Sequence, residues 1–315
     1  MKYPEFLSPH VFPPAWPVLG NIRWYGVMYL AGIVVGYFLM KYFIKKGSLK
    51  IPLEEKGGLY DFLFYVVIGI IAGARLGFFI FYHPAAFITA PWEIIGLHFD
   101  PFYFGFDGMS YHGGMIGLII AVALFAKRFG YRFYDIADCA AIAVPFGLFF
   151  GRMGNFINAE LYGRETSGVF GMRFPIYERG YAWWASLAPA DRPYTNPRFP
   201  SQLYEAALEG LLLFLILFIA YKLKVKRGIT FWLYITCYGL FRFLVEFVRE
   251  PNEWAIGFQN GMHFIQGQAT LQQFTGFMFT AGMAYSLPMA IIGIIFIVYR
   301  SISPADTIVQ AKGVR

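Results

Sequence analysis

The sequence is short of charge and almost without cysteine. Only 14% of its 315 residues are Asp, Glu, Lys or Arg, against about 25% in a soluble domain. So few charges cannot solvate a globule of this length, which excludes an ordinary cytosolic, disordered or fibrous protein. Both cysteines, Cys139 and Cys237, lie in apolar runs, so neither a disulfide framework nor a thiolate metal site is indicated. A P-loop, an HExxH pair and a dinucleotide glycine fingerprint leading into a soluble sheet are also missing, and no cofactor is implied. The stretch Met1 to Pro17 has a single lysine and lacks the basic start and short apolar core expected of a cleavable signal peptide.

What is present is apolar. Hydrophobic residues make up 58% of the chain, aromatics 21%, and the mean hydropathy is +0.52. Runs long enough to cross ~30 Å of hydrocarbon, about 20 residues each, fall near 24–44, 59–82, 111–128, 137–153, 203–221, 229–248 and 276–299. They are continuously apolar rather than alternating, which favours helices over a barrel. The expectation is an all-α polytopic membrane protein with seven transmembrane helices. Residues 1–300 form one membrane domain and 301–315 a cytoplasmic tail. Segments 83–110 and 154–200, rich in Pro, Gly and aromatics, form a surface arm and a small extracytoplasmic cap.

The net charge of +7 points to anionic lipid rather than nucleic acid, because the charges cluster in short loops between apolar runs. Loop 41–58 carries Lys41, Lys45, Lys46, Lys50 and Lys56, and loop 127–136 carries Lys127, Arg128 and Arg132. Lys222, Lys224, Lys226 and Arg227 follow in loop 222–228, then Arg300, Lys312 and Arg315 in the tail. The opposite short connections hold only Arg249. The positive-inside rule therefore sets the N-terminus outside and the C-terminus in the cytoplasm.

With that orientation Arg75, Arg152 and Arg242, from three helices, sit at similar depth towards the outer leaflet. A central arginine costs about 2.5–3.5 kcal/mol on the lenient insertion scale, so such residues face a polar cavity or a partner. Each could be a structural ion pair, and Arg242 and Glu246 are spaced four apart to neutralise each other. Convergence of all three is read as an outward-facing anion site. The planar guanidinium fork suits phosphate, and a site among apolar helices suits a phospholipid headgroup. The glycines around Tyr111-His112-Gly113-Gly114 do not have nucleophile-elbow spacing; Gly113, Gly114 and Gly117 read as a close helix approach.

The run Gly151-Arg152-Met153-Gly154-Asn155-Phe156-Ile157-Asn158, followed by Ala159-Glu160-Leu161-Tyr162-Gly163-Arg164, resembles the signature of bacterial prolipoprotein diacylglyceryl transferases. Further matching pieces are Trp24 to Tyr29, Gly73 to Gly77, Asp107 to Gly117, Arg198 to Glu205, and Tyr238 through Arg242 and Glu246 to Pro251. The resemblance runs from about residue 24 to 288. Two departures stand out: Met283 occupies the position of a usual Gln, and the connection 251–275 is longer than usual.

The resemblance implies transfer of the diacylglyceryl group of phosphatidylglycerol to the lipobox cysteine thiol of a preprolipoprotein signal peptide, with release of glycerol phosphate. It implies a multi-pass protein of the bacterial inner membrane whose site faces the outer leaflet. His112, Arg152, Arg242 and Tyr25 are then the candidate catalytic residues. Arg152, Asn155, Glu160, Gly163, Arg242 and Glu246 are the candidate substrate-binding residues. Arg152 and Arg242 would hold the phosphate, Asn155 and Tyr25 would hydrogen-bond the headgroup, and Glu246 would orient Arg242. Glu160 would orient a basic neighbour or the glycerol, Gly163 would serve backbone geometry, and His112 would accept the thiol proton. No metal is required. The rival reading is a secondary transporter of an anionic lipid or organic anion, which would need charged groups near the midplane.

Overall fold

Among the described residues, six helices are long and apolar enough to cross a membrane in the computed structural model. It describes residues 1–16, 19–99, 102–105, 108–251, 254–258, 262–266 and 277–303. The helices are α1 (Trp24–Lys45), α2 (Leu59–Tyr82), α3 (Tyr111–Phe129), α4 (Phe133–Ile157), α5 (Ser201–Lys222) and α7 (Ala281–Ile302). The seventh apolar run forms α6 (Ile229–Val245), whose 17 residues reach about 25 Å at 1.5 Å per residue. The chain is thus a mostly helical, multi-pass membrane protein.

Several boundaries differ from the sequence expectation. Helix α4 begins at Phe133 rather than 137 and ends at Ile157 rather than 153, so Arg152 lies inside it rather than closing it. Asp138 and Pro145 are carried within the helix. Helix α6 stops at Val245 because Glu246 to Val248 turn away to set Arg249 beside Gly163. Helix α7 starts at Ala281, not 276, because Phe277–Thr280 is a strand and the Thr280 hydroxyl caps the helix by accepting from the Met283 amide at 3.3 Å.

The fold is not purely helical. Strands β1 (Leu97–Phe99) and β2 (Phe102–Phe104) pair as an antiparallel hairpin. The connection after α6 forms an antiparallel sheet of β3 (Trp254–Phe258), β4 (Met262–Gln266) and β5 (Phe277–Thr280), in the order β4-β3-β5. Asp107 and most of the expected tail lie outside the described residues.

The chain forms two compact units, Met1–Gly36 with Ala140–Arg315, and Tyr37–Cys139. In the second unit α2 and α3 meet through glycines. A Cβ on Gly117 would lie 2.1 Å from the Gly69 carbonyl oxygen, and one on Gly113 would lie 2.3 Å from that of Gly73. These are backbone contacts that only glycine permits. Arg75 is buried here: its guanidinium donates to the carbonyls of Glu93, Ile94 and Gly108 and lies over the Phe79 ring.

In the first unit Tyr3 ties the start of the chain to the end of α4. Its hydroxyl donates to the Phe156 and Ile157 carbonyls at 3.0 and 2.9 Å, in the last turn, where carbonyls lack intrahelical partners; the Phe156 carbonyl also accepts from the Ala159 amide. The ring packs with Phe156 and Phe174.

Candidate active site

Three arginines and three glutamates meet inside the first unit. Arg152 comes from the last turns of α4, Glu205 from the first turns of α5, and Arg242 and Glu246 from the end of α6. Arg152 Nη2 lies 2.7 Å from Glu205 Oε2, and Arg249 Nη1 reaches the same oxygen at 3.5 Å. Arg242 Nη1 lies 2.9 Å from Glu246 Oε2, and Arg249 Nε stands 4.0 Å from that atom. Arg249 therefore bridges two ion pairs. The spacing of four that pairs Arg242 with Glu246 was visible in the sequence.

Glu246 is held from its other side as well. Thr280 Oγ1 donates to Glu246 Oε1 at 3.0 Å. Gly282 leaves room for the carboxylate over the first turn of α7, since a Cβ there would lie 2.5 Å from Glu246 Cδ. An anion at a helix N-terminus is favoured by the backbone dipoles. Met283, the departure from the family pattern, is buried, and its amide serves the same cap.

Glu209 completes the group. It lies four residues beyond Glu205 on a π-helical stretch of α5, Ala206–Leu212, a distortion frequent at functional sites. It is wholly buried, neither carboxyl oxygen has a hydrogen-bond partner, and it feels the charges of Glu205, Arg152, Arg242 and Arg249. Gly210 seats this stretch on α4, three residues before Arg152, because a Cβ there would lie 2.7 Å from Phe149 Cβ. Arg242 Nη1 is buried without an aligned hydrogen bond.

The signature loop after α4 is strained and stapled. Ala159 and Leu161 take left-handed backbone angles (φ 53° and 55°) on either side of Glu160. The Glu160 carbonyl accepts from the Gln202 side chain at 2.6 Å, and the Leu161 carbonyl accepts from Ser201 Oγ at 3.2 Å. That geometry turns the Glu160 carboxylate back to accept from Asn155 Nδ2 at 2.9 Å and Asn158 Nδ2 at 3.4 Å. Two of its hydrogen-bond donors are thus side-chain amides of the signature itself.

Tyr25, in the first turn of α1, shares a hydrogen bond with Tyr29 at 2.9 Å and feels the charges of Glu160 and Arg152. Gly154 allows that approach: a Cβ there would lie 3.0 Å from Tyr25 Cδ2. Gly163 is pinned where α6 ends. Its amide donates to Phe199, and a Cβ would lie 2.2 Å from the Val248 carbonyl oxygen. Arg164 donates to the carbonyls of Arg249 at 2.8 Å and Glu246 at 3.5 Å, which fixes the turn carrying the bridging arginine. Burial there pushes the Arg164 guanidinium below its ordinary value.

A family model for prolipoprotein diacylglyceryl transferase matches residues 13–299. The chain belongs to this family. Curated relatives of this chain carry the name phosphatidylglycerol–prolipoprotein diacylglyceryl transferase, among them three from different genera. One from Rickettsia canadensis is 39% identical over 291 residues, covering 90% of this chain and 96% of its own. One from Campylobacter curvus is 40% identical over 253 residues, covering 79% and 85%. One from Treponema denticola is 37% identical over 280 residues, covering 80% of each chain.

Of the residues expected at a family site, the structure brings Arg152, Arg242 and Glu246 into one charge network, links Asn155 to Glu160, and sets Gly163 beside the turn bearing Arg249. His112 is in the second unit, half-buried in the first turn of α3. There Ser110 caps the helix by accepting from the Gly113 amide at 3.2 Å. Sequence reasoning missed Arg249, Glu205, Glu209 and Thr280. Glu205 stood in a matching motif and Arg249 among the loop charges, yet neither position shows from sequence which oxygen it meets.

Proposed function

We infer that this chain transfers the diacylglyceryl group of phosphatidylglycerol to the lipobox cysteine thiol of a preprolipoprotein signal peptide. The observation that carries the reading is the arginine cluster at the family signature. The guanidiniums of Arg152, Arg242 and Arg249, gathered by Glu205 and Glu246, offer the planar donors that suit a phosphodiester. Arg242, held in place by Glu246, carries a guanidinium suited to such an oxygen.

The thiol sulfur attacks the glyceryl carbon that bears the phosphate. A C–S bond forms, the C–O bond breaks, and its electron pair leaves on the phosphate of glycerol phosphate. Arg152 and Arg242 stabilise the charge that moves onto that phosphate. Glu246 and Glu205 hold the two guanidiniums in place, and Asn155, oriented by Glu160, hydrogen-bonds the headgroup together with Tyr25. A free cysteine thiol, with its pKa near 8.5, is mostly protonated at neutral pH. His112 is assigned the role of accepting its proton.

The topology that serves this reaction has seven spans, the N-terminus outside, residues 1–300 as one inner-membrane domain and 301–315 as a cytoplasmic tail. The arginines then open to the outer leaflet, where a signal peptide presents its cysteine. Transport of an anionic lipid is the weaker reading, since the charges gather at one end of α4 and α6.

The test uses purified protein, phosphatidylglycerol and a synthetic lipobox peptide, following glycerol phosphate release and the peptide mass shift. Wild type is compared with Arg152→Ala, Arg242→Ala and a Cys-to-Ser peptide. Thiol-dependent release that collapses in both arginine variants is expected. Lipid binding without release would overturn the assignment.

A further inference from the structure

We propose that the sheet between α6 and α7 is a lipid-contact surface, lying against the headgroup–acyl boundary of the bilayer with its aromatic face. Its two faces differ sharply. Pairing sets Phe258 opposite both Met262 and Phe277, and Ile256 opposite Phe264, so these side chains share one face. On that face Phe258, Met262, Phe264 and Phe277 are 47%, 73%, 68% and 53% exposed. On the other face Ala255, Ile265 and Met278 are buried together.

In water such a patch, on a short sheet, would be an aggregation site. Two observations name the occupant as lipid. The strands are bounded by apolar helices on both sides, so the sheet begins and ends where the chain meets the membrane. The aromatic face is also continuous with the exposed apolar side of α7: Trp254 stacks on Phe264 and meets Tyr285 edge-on at 6.3 Å. Tyr285 leads to the exposed Ile291 and Ile295 on that helix.

Depth follows from the backbone. Among the described residues, the order β4-β3-β5 leaves an outer edge on β4 and on β5. Unpaired amides and carbonyls are not tolerated in hydrocarbon, so the sheet sits at the interface, the level at which aromatic side chains concentrate. The buried face meets the charge network, because Thr280 of β5 donates to Glu246. One thin sheet thus separates bilayer lipid from the carboxylate that orients Arg242. The inference requires the chain to be membrane-embedded but does not depend on the reaction or on which leaflet the sheet faces.

The full-length protein in nanodiscs containing a phospholipid with a diazirine-bearing acyl chain tests it directly. Photolysis and peptide mapping are expected to place adducts on β3, β4 and β5 as well as on the exposed side of α7. Adducts on α7 with none on the three strands would overturn the proposal. A nitroxide on Met262→Cys, in a chain with Cys139→Ala and Cys237→Ala, supplies a second reading. Collision with oxygen should exceed collision with a water-soluble nickel chelate several-fold, and the reverse order would equally refute lipid contact.

Discussion

Arg152 and Arg249 meet on a single oxygen atom, Oε2 of Glu205, at 2.7 and 3.5 Å. One arginine comes from the middle of the chain and the other from the turn after α6, and the carboxylate between them has no exposed surface. Glu205 therefore sets the separation of two positive charges that would otherwise repel. Removing one partner from a buried ion pair costs about 3–5 kcal/mol, because the remaining charge is left uncompensated.

For Glu205→Gln this predicts a lower melting temperature in detergent and loss of glycerol phosphate release. Arg152→Lys keeps the charge but loses the planar fork. It should retain most of the thermal stability while release falls by about two orders of magnitude, a rate loss of about 2.7 kcal/mol. Equal melting temperatures for Glu205→Gln and wild type would contradict the assigned role of Glu205.

Asn155 and Glu160 form a hydrogen bond that can be exchanged between partners. Asn155→Asp places two carboxylates about 3 Å apart and should abolish activity. Adding Glu160→Gln restores one donor and one acceptor. Contacting pairs couple by about 0.5–3 kcal/mol, so the double variant should recover part of the lost rate, with the effect concentrated in KM. No recovery would show that the pair does not act as a unit.

Thr280 serves two groups at once, the Met283 amide and Glu246 Oε1. Thr280→Val preserves shape and removes both bonds. Loss of the cap alone costs about 1 kcal/mol, and an unsupported Glu246 should lower kcat further, whereas Thr280→Ser should behave like wild type. Thermal unfolding together with steady-state kinetics separates the two effects.

Glycines of the signature region are not equivalent. Gly163→Ala would drive a Cβ to 2.2 Å from the Val248 carbonyl oxygen, so the turn bearing Arg249 must shift. Overpacking of this kind costs about 1–3 kcal/mol, and activity should fall with stability. A Cβ on Gly151 meets nothing within 4 Å. Gly151→Ala should therefore keep or raise the melting temperature, since glycine inside a helix is about 0.5–1 kcal/mol worse than alanine. Equal destabilisation of the two variants would contradict this packing.

The sequence by itself determined the membrane class, the six long spans, the membership and the motif that bears Arg152, Asn155, Glu160 and Gly163. These are local properties: composition, continuous apolar runs and short-range spacing, including the four-residue step from Arg242 to Glu246. That Gly113, Gly114 and Gly117 bring α3 close to another helix was legible for the same reason, but that the neighbour is α2, through Gly69 and Gly73, was not. Element ends were less so. Phe277 to Thr280 reads as helix by hydropathy, but pairing with Ala255 to Phe258 makes it a strand, a choice local sequence does not contain.

Only the tertiary structure decided which charges are neighbours. Arg75 looked like a third member of the anion site, yet its guanidinium is engaged by backbone carbonyls of the segment 93–108. Arg249, counted as a loop charge, instead bridges Glu205 and Glu246. The physical reason is range. An ion pair forms over 3 to 4 Å between atoms whose residues stand dozens of positions apart, and hydropathy and charge counts carry no information about that distance. Glu209 shows the same limit, since a glutamate in an apolar run is visible in the sequence but the three arginines around it are not.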